Sequence, residues 1–445
     1  MDIISQVVSG MQTVLTTVSD TVAETTGFIK RRRKLTGSSF VQTLVFGWLA
    51  NPKSTYEEFA QAAATVGVTL TPQAIEQRFT PEAADSLKQV LDAAVEQIIA
   101  ANQQAIPLLE QFNGVFIQDS SWILLPDELA EVWKGCGNKP SDETSSSVKI
   151  QLRWELLSGS INHLALTHGT TNDKQIAQTA VALPSGSLRL ADLGYFSLDE
   201  LKHCSDGEIF WLTRIPASCE VFDAESNHLN LQEWLEQQVQ REIELPIRLG
   251  VKAQLPCRLL ATRVATEVAN KRRRQIRRMA KNKGKTPSKK RLALADWNIL
   301  VTNIPPNQLT VKQAMILVRV RWQIELLFKL WKSYGQINSW RSEKPWRILC
   351  EVYAKLIAMI IQHWILLTHS WHYPERSLTK AARVIARYAF CIAGAVATGQ
   401  SQRLVEVLIT VGQSLAVGCR IYKRREHPST YQLLMKTADE SLFDA

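Results

Sequence analysis

Arg321, Glu325 and Lys332 are separated by four and seven residues. At about 100° per residue, that spacing sets all three within roughly 40° of one another on one helical face. A carboxylate between two cations can be an exposed salt-bridge stripe. It can also be a polar face that meets a charged partner. The neighbours Trp322, Ile324, Leu326, Leu327, Phe328 and Trp331 are apolar, so the helix is expected to be largely buried and its polar face to meet something. A second feature lies between Lys271 and Arg291, where there are 12 Lys and Arg and no acid. Removing those 12 from the 52 basic residues leaves 40 against 42 acidic ones, so the formal charge of +10 is concentrated in one segment. That pattern points to a local polyanion contact, made through phosphates and giving affinity rather than sequence choice. A solvated charge run and an RNA-binding tail are the competing explanations.

These groups need a frame. From about residue 114 the sequence turns to strands: VFIQDSSWILL (115–125), VKIQLRWELL (148–157) and INHLALTHGT (161–170). A helix-like segment follows Asp173. Then come LRLADLGYF (188–196), a helix SLDELKHC and a strand EIFWLTRI (208–215). Three strands, helix, strand, helix, strand is the order of an RNase H-like α/β core. Between about 216 and 296, short strand candidates in IRLGVKAQLPCRLLATRVA precede the basic run, which predicts a β-rich insertion. The strand WNILVTNI (297–304) leads through Pro305-Pro306 to one long helix from about Thr310 to Gly335. Residues 1 to about 110 carry only helical signals. Ser54 and Glu57 form a capping-box pattern, Gly67 is a C-terminal stop, and Thr71-Pro72 starts another helix. With KRRRK at 30–34, this pair suggests a DNA-contacting helix-turn-helix region. The expected division is 1–110 helical and DNA-binding, 111–215 first part of the core, 216–296 insertion, 297–345 core completion, and 346–445 helical.

RVRWQIELLFKLWKSYG resembles the signature of DDE-type insertion-sequence transposases whose RNase H-like core carries a β insertion. That signature runs Tyr, two residues, Arg, three residues, Glu, six residues, Lys. Arg321, Glu325 and Lys332 match it in spacing, whereas the Tyr position holds Val318. WNILVTNIP, LCEVYAKLIAMIIQHW and FIKRRRKLTGSSFVQTLVFG also resemble that group, so the likeness spans roughly residues 25 to 370. It implies one Asp on the first core strand, here Asp119, and one just after the fourth, here Asp192. Asp119, Asp192 and Glu325 would then be the catalytic metal ligands. Mg²⁺ would be the cofactor, as two ions by the two-metal chemistry of phosphodiester cleavage, with Mn²⁺ able to substitute. Arg321 and Lys332 would hold phosphates. Trp297, 21 residues before Val318, would stack on a flipped base; a strand-end Trp packed in the core is the competing explanation. Arg272, Arg273, Arg274, Arg277 and Arg278 would line the DNA backbone. The activity implied is metal-dependent cleavage at transposon ends and strand transfer into target DNA, by cut-and-paste through a hairpin. A homodimer would hold the paired terminal inverted repeats. The rival classes are a transposase-derived DNA-binding protein without catalysis and an RNase H-like nuclease that cuts without joining.

Composition narrows the setting. Seven scattered cysteines with no CxxC pair show nothing like a zinc or disulfide framework and suggest a reducing cytosol; the resemblance implies a bacterial cytoplasm, in association with the nucleoid. No Gly-rich phosphate loop indicates NTP use. The N-terminus lacks the basic-then-apolar order of a signal peptide. LIAMIIQHWILL (356–367) is too short an apolar run to span a membrane and is expected to be a buried core helix.

Overall fold

The computed structural model describes residues 2–31, 34–135, 145–174, 182–282, 284–369, 371, 373, 376–421 and 430–436. Arg32, Arg33, Cys136, most of the segment after Asp173, Lys283 and His372 lie outside the described residues. The chain divides into two compact units. One comprises Met1–Gln104, Ser120–Thr171 and Gln323–His427, and the other Ala105–Asp119, Asn172–Trp322 and Pro428–Ala445.

The strands read from the sequence form, and they form one nine-stranded sheet in the order β3-β2-β1-β4-β5-β9-β8-β7-β6. The core strands are β1 (Val115–Leu125), β2 (Ser146–Glu155), β3 (Ile161–His168), β4 (Leu188–Ala191) and β5 (Phe210–Arg214). β2 and β3 pair antiparallel, while β1, β4 and β5 run parallel. This is an RNase H-like α/β sheet. The remaining strands are β6 (Val221–Phe222), β7 (Glu242–Leu249), β8 (Leu255–Arg263) and β9 (Trp297–Thr302). Each pairs antiparallel with its neighbour, and β9 pairs with β5. The inserted strands therefore lengthen the core sheet, and their apolar alternation feeds a core around Trp211, Ile243, Leu259, Trp297 and Val301.

The unit that contains Met1–Gln104 carries β2 and β3 and is otherwise mostly helical. Pro345–His369 is long and apolar enough, by length and composition, to cross a membrane, yet its apolar window is wholly buried inside the protein. The 12-residue run read from the sequence is thus part of a 25-residue helix. It packs against the helices Gly37–Ala50 and Pro81–Glu96. Near the N-terminus, the capping box falls one residue later than the pattern suggested, on Thr55 and Glu58. The Ser54 hydroxyl donates instead to the carbonyls of Gly47 and Asn51. Gly67 has a φ of 84° where the next turn begins, and Thr71 caps Pro72–Glu76.

His363 lies within the long helix, buried between Trp154 and Trp371 and bonded through Nε2 to the Gly159 carbonyl at 2.6 Å. Burial pushes its pKa down from 6.5 to about 4. Between those two values the unfolded chain binds a proton that the folded chain refuses, so stability falls as the pH falls through that window. The gap corresponds to about 3 kcal/mol. Denaturation midpoints should therefore drop between pH 7 and pH 4.5. His363→Gln should be less stable at pH 7 but flatter across the window, and an equally steep profile in the variant would remove His363 as the cause.

Candidate active site and nucleic-acid interface

Two carboxylates are set by strand register. β1 and β4 run parallel with Gln118 opposite Ala191, and the next residue on each is an aspartate, Asp119 and Asp192. Hydrogen bonding between the strands thus brings them abreast where β4 ends. The Asp192 side chain caps the turn Leu193–Tyr195, accepting from the Gly194 amide at 2.8 Å. A Cβ on Gly194 would stand 3.0 Å from Asp192 Oδ1 and 3.3 Å from Asp173 Oδ2. Glycine therefore leaves room beside two carboxyl groups, and Asp173 is brought near Asp192. Sequence reading did not find Asp173 as part of this neighbourhood, because it sits 19 residues before Asp192 with no motif around it. Asp119 Oδ2 lies 3.2 Å from Arg321 Nη1, with 15% and 20% of the two side chains exposed. Low exposure weakens water's screening of that pair.

The helix expected from Thr310 to Gly335 is two pieces, Val311–Val320 and Trp322–Ser333. Arg321, between them, keeps helical dihedrals (φ −50°, ψ −33°). The first piece opens with a capping box of Thr310 and Gln313. Glu325 falls in the first turn of the second piece and Lys332 in its last, where they suit the two ends of the helix dipole. Burial lowers the Lys332 pKa. The apolar neighbours behave unevenly. Ile324, Leu327, Phe328 and Trp331 are buried, whereas Trp322 and Leu326 are exposed.

For a divalent metal, the chemistry of the donors fits. Two carboxylates on a rigid sheet offer the oxygen ligands that hard cations prefer. Among the described residues, no three His, Cys, Asp or Glu side chains are gathered closely enough to hold a metal ion. The expected trio is represented by a neighbouring pair of aspartates and a glutamate on a separate element.

The five arginines expected on the DNA backbone divide in two. They lie on the helix Thr266–Asn282. Arg272 donates to the Trp297 carbonyl at 3.2 Å and to Asn298 Oδ1 at 2.6 Å. Arg273 pairs with Asp296 and donates to the Leu292 carbonyl. These two pin the helix to the start of β9. Arg274, Arg277 and Arg278 are exposed. Between this helix and β9 lies a cavity of about 870 Å³, lined by Arg214, Arg272, Lys290, Arg291 and Arg319 against the single acid Glu220. Val318 and Trp297 also line it. Trp297 is only 6% exposed, and the Arg263 guanidinium lies over its ring, 4.7 Å from the centroid.

Residues 110–361 match the family described as a transposase DDE domain. The chain is 26% identical over 363 residues to the transposase of insertion sequence element IS231B of Bacillus thuringiensis subsp. berliner, covering 76% of this chain and 75% of the relative. It is 28% identical over 375 residues to the transposase of IS1151 of Clostridium perfringens, covering 78% and 77%. A solved piggyBac transposase synaptic complex with hairpin DNA is similar with a TM-score of 0.44 and 11% identity, over 92% of this chain and 82% of that one.

The division among the arginines has a direct test. Arg272→Met should cost about 1–2 kcal/mol in urea unfolding, since it leaves a carbonyl and an amide oxygen without their donor. Arg274→Ala, Arg277→Ala and Arg278→Ala should each stay within about 0.5 kcal/mol of the unmodified protein. Equal losses at all four positions would show that the helix has no separate pinned and open faces.

Proposed function

The chain belongs to the DDE transposase family of bacterial insertion sequences, and on that premise we propose that Asp119, Asp192 and Glu325 are its catalytic carboxylates. The family acts on DNA with divalent metal, and in this chain Mg²⁺ is the ion these groups hold, as a pair of ions, with Mn²⁺ as a substitute. The observation that carries the reading is the register of β1 on β4, which sets Asp119 beside Asp192. Glu325 follows, about one helical turn along the chain, the arginine that touches Asp119. When bound, the metal neutralises phosphate charge and activates the attacking oxygen.

The other roles belong to the chain's own groups. Arg321 faces a carboxylate and, by its planar fork, also suits a phosphate, so it orients the scissile phosphate against Asp119. Lys332 supplies a point charge to the strand further along the same helix. Burial has already lowered its pKa, and a phosphate beside it would favour the charged form. Arg274, Arg277 and Arg278 follow the DNA backbone. Trp297 and the cationic cavity beside it receive a nucleotide drawn out of the stacked end. Arg263 already lies over the ring, so it shifts for stacking to occur. Val318 cannot donate to phosphate as tyrosine does, which leaves that role to cations of the cavity. The order of events is cleavage at the terminal inverted repeats, hairpin formation and transfer of the 3′-hydroxyl into target DNA. It takes place in the bacterial cytoplasm on a homodimer that pairs two ends. Crosslinking on paired end DNA should trap two chains, and monomers alone would count against the dimer.

The central test is incubation of the purified protein with its element's end DNA and Mg²⁺. Asp119→Asn, Asp192→Asn and Glu325→Gln should each bind the end yet lose cleavage by at least about 100-fold. Tight binding without cleavage by the unmodified protein, in Mg²⁺ and in Mn²⁺, would instead identify a transposase-derived DNA-binding protein. Cleavage without joining would identify a nuclease. Removing Arg274, Arg277 and Arg278 together should flatten the salt dependence of DNA binding, by roughly one unit of log–log slope for each phosphate no longer neutralised.

A further inference from the structure

Three charged side chains are sunk in the core of the helical unit. Arg347, Glu351 and Lys355 follow one another at four-residue intervals on the helix Pro345–His369, and they are 4%, 1% and 1% exposed. Four-residue spacing stacks them on one face. Lys355 Nζ lies 2.8 Å from Glu351 Oε1, and Glu351 Oε2 lies 3.5 Å from Arg347 Nη1. Those last two atoms have no hydrogen-bond partner. The row is therefore incompletely satisfied, and it carries two positive charges against one negative. A well-packed apolar core of similar volume is often as stable as buried ion pairs of this kind, or more so. Stability alone does not account for the row.

Its two ends touch different things. Arg347 sits among four aromatic rings, with its guanidinium carbon 4.2 Å from the Phe79 centroid, 4.7 Å from Trp48, and 5.4 Å from Tyr56 and Phe59. Trp48 belongs to the helix Gly37–Ala50, Tyr56 and Phe59 to Tyr56–Thr65, and Phe79 follows Pro72–Glu76. These helices lie within residues 1–110, the segment whose sequence pattern is expected to bind DNA. At the far end, about 12 Å along the helix, the Lys355 ammonium donates to the carbonyls of Gln336 at 3.1 Å and Ser339 at 2.7 Å. Gln336 has a φ of 47°, an uncommon conformation for a residue with a side chain. This turn begins three residues after Ser333, the end of the helix that carries Glu325 and Lys332. The carbonyls of that turn are held by a buried cation, which is itself tied through Glu351 and Arg347 to the N-terminal helices.

We propose that Lys355 is a positioning residue for DNA cleavage: it fixes the turn after the Glu325 helix, and through Glu351 and Arg347 it sets that helix against the N-terminal helices. The inference rests on the catalytic role given above to Glu325. Arg347, Glu351 and Lys355 are all buried, so none of the three presents its charge at the surface. The row acts by holding Glu325 and Lys332 still relative to the end that the N-terminal helices grip, and small misplacements of catalytic groups are costly.

The experiment compares the unmodified protein, Glu325→Gln, Lys355→Met and Glu351→Gln on end DNA. It measures equilibrium affinity, the single-turnover cleavage rate of bound DNA, and hydrogen exchange over residues 333–340. Lys355→Met should bind the end within about twofold of the unmodified protein and cleave roughly 10–100-fold more slowly. Its exchange should quicken in the turn but not along the long helix. A residue needed only for stability would lower the active fraction and leave the rate of the active molecules unchanged. Should Lys355→Met fail to fold, Glu351→Gln keeps the volume and carries the same comparison, with the same split between affinity and rate expected. If Glu325→Gln is dead while the row variants cleave at the unmodified rate, the inference is overturned and the catalytic reading stands. If Glu325→Gln cleaves normally, the catalytic reading fails and the inference falls with it.

Discussion

The parallel pairing of β1 with β4 is the constraint on which the proposed chemistry depends. Two aspartates, 73 residues apart in sequence, become neighbours because Gln118 lies opposite Ala191. A slip of one residue in that register would turn Asp192 to the other face of the sheet. Carboxylates one strand apart repel one another. That repulsion favours a cation beside the pair. Arg321 is one such cation, against Asp119, and the Gly194 amide supplies a second polar partner, to Asp192. An arrangement that draws in positive charge is suited both to divalent metal and to the arginine that pairs with Asp119.

The insertion contributes by continuing this sheet. β9 pairs with β5, and the β7–β8 hairpin pairs with β9. The basic helix is therefore pinned to the strand that starts at Trp297. Arg272 and Arg273 do the pinning, through the Trp297 carbonyl, Asn298 and Asp296. Their neighbours at 274, 277 and 278 stay in solvent, because three and four residues along a helix return to one face while the intervening positions do not. One run of like charge thus serves two ends: internal hydrogen bonding and an open cationic surface. The electropositive cavity lies between that helix and β9.

In the helical unit, the helix Pro345–His369 is buried on every side, and the helices Gly37–Ala50 and Pro81–Glu96 pack against it. The charged row through it is a cost that the apolar packing can absorb, and it converts a passive core element into one with a defined register at each end. The aromatic rings around Arg347 give the guanidinium π-faces where it lacks acceptors.

Much of the chain could be read before folding. Alternating apolar residues announced β1, β2 and β3, the order of elements gave the RNase H-like core, and Arg321, Glu325 and Lys332 declared one helical face by spacing alone. Local physics suffices there, since strand and helix periods are properties of neighbouring residues. Capping of the helix at Tyr56 was legible only to within a residue, because Ser54 and Thr55 are both competent caps and the carbonyls of Gly47 and Asn51 decide between them. Which arginines of the basic run face solvent was not legible, since Asn298 and Asp296 reach them only across the fold. The same holds for Arg263 over Trp297, for Asp173 near Asp192, and for the depth of Arg347, Glu351 and Lys355. Sequence determined the periods, the motif and the charge distribution; tertiary structure decided which charges are buried and what they touch, because burial and partnership are set by residues far apart along the chain.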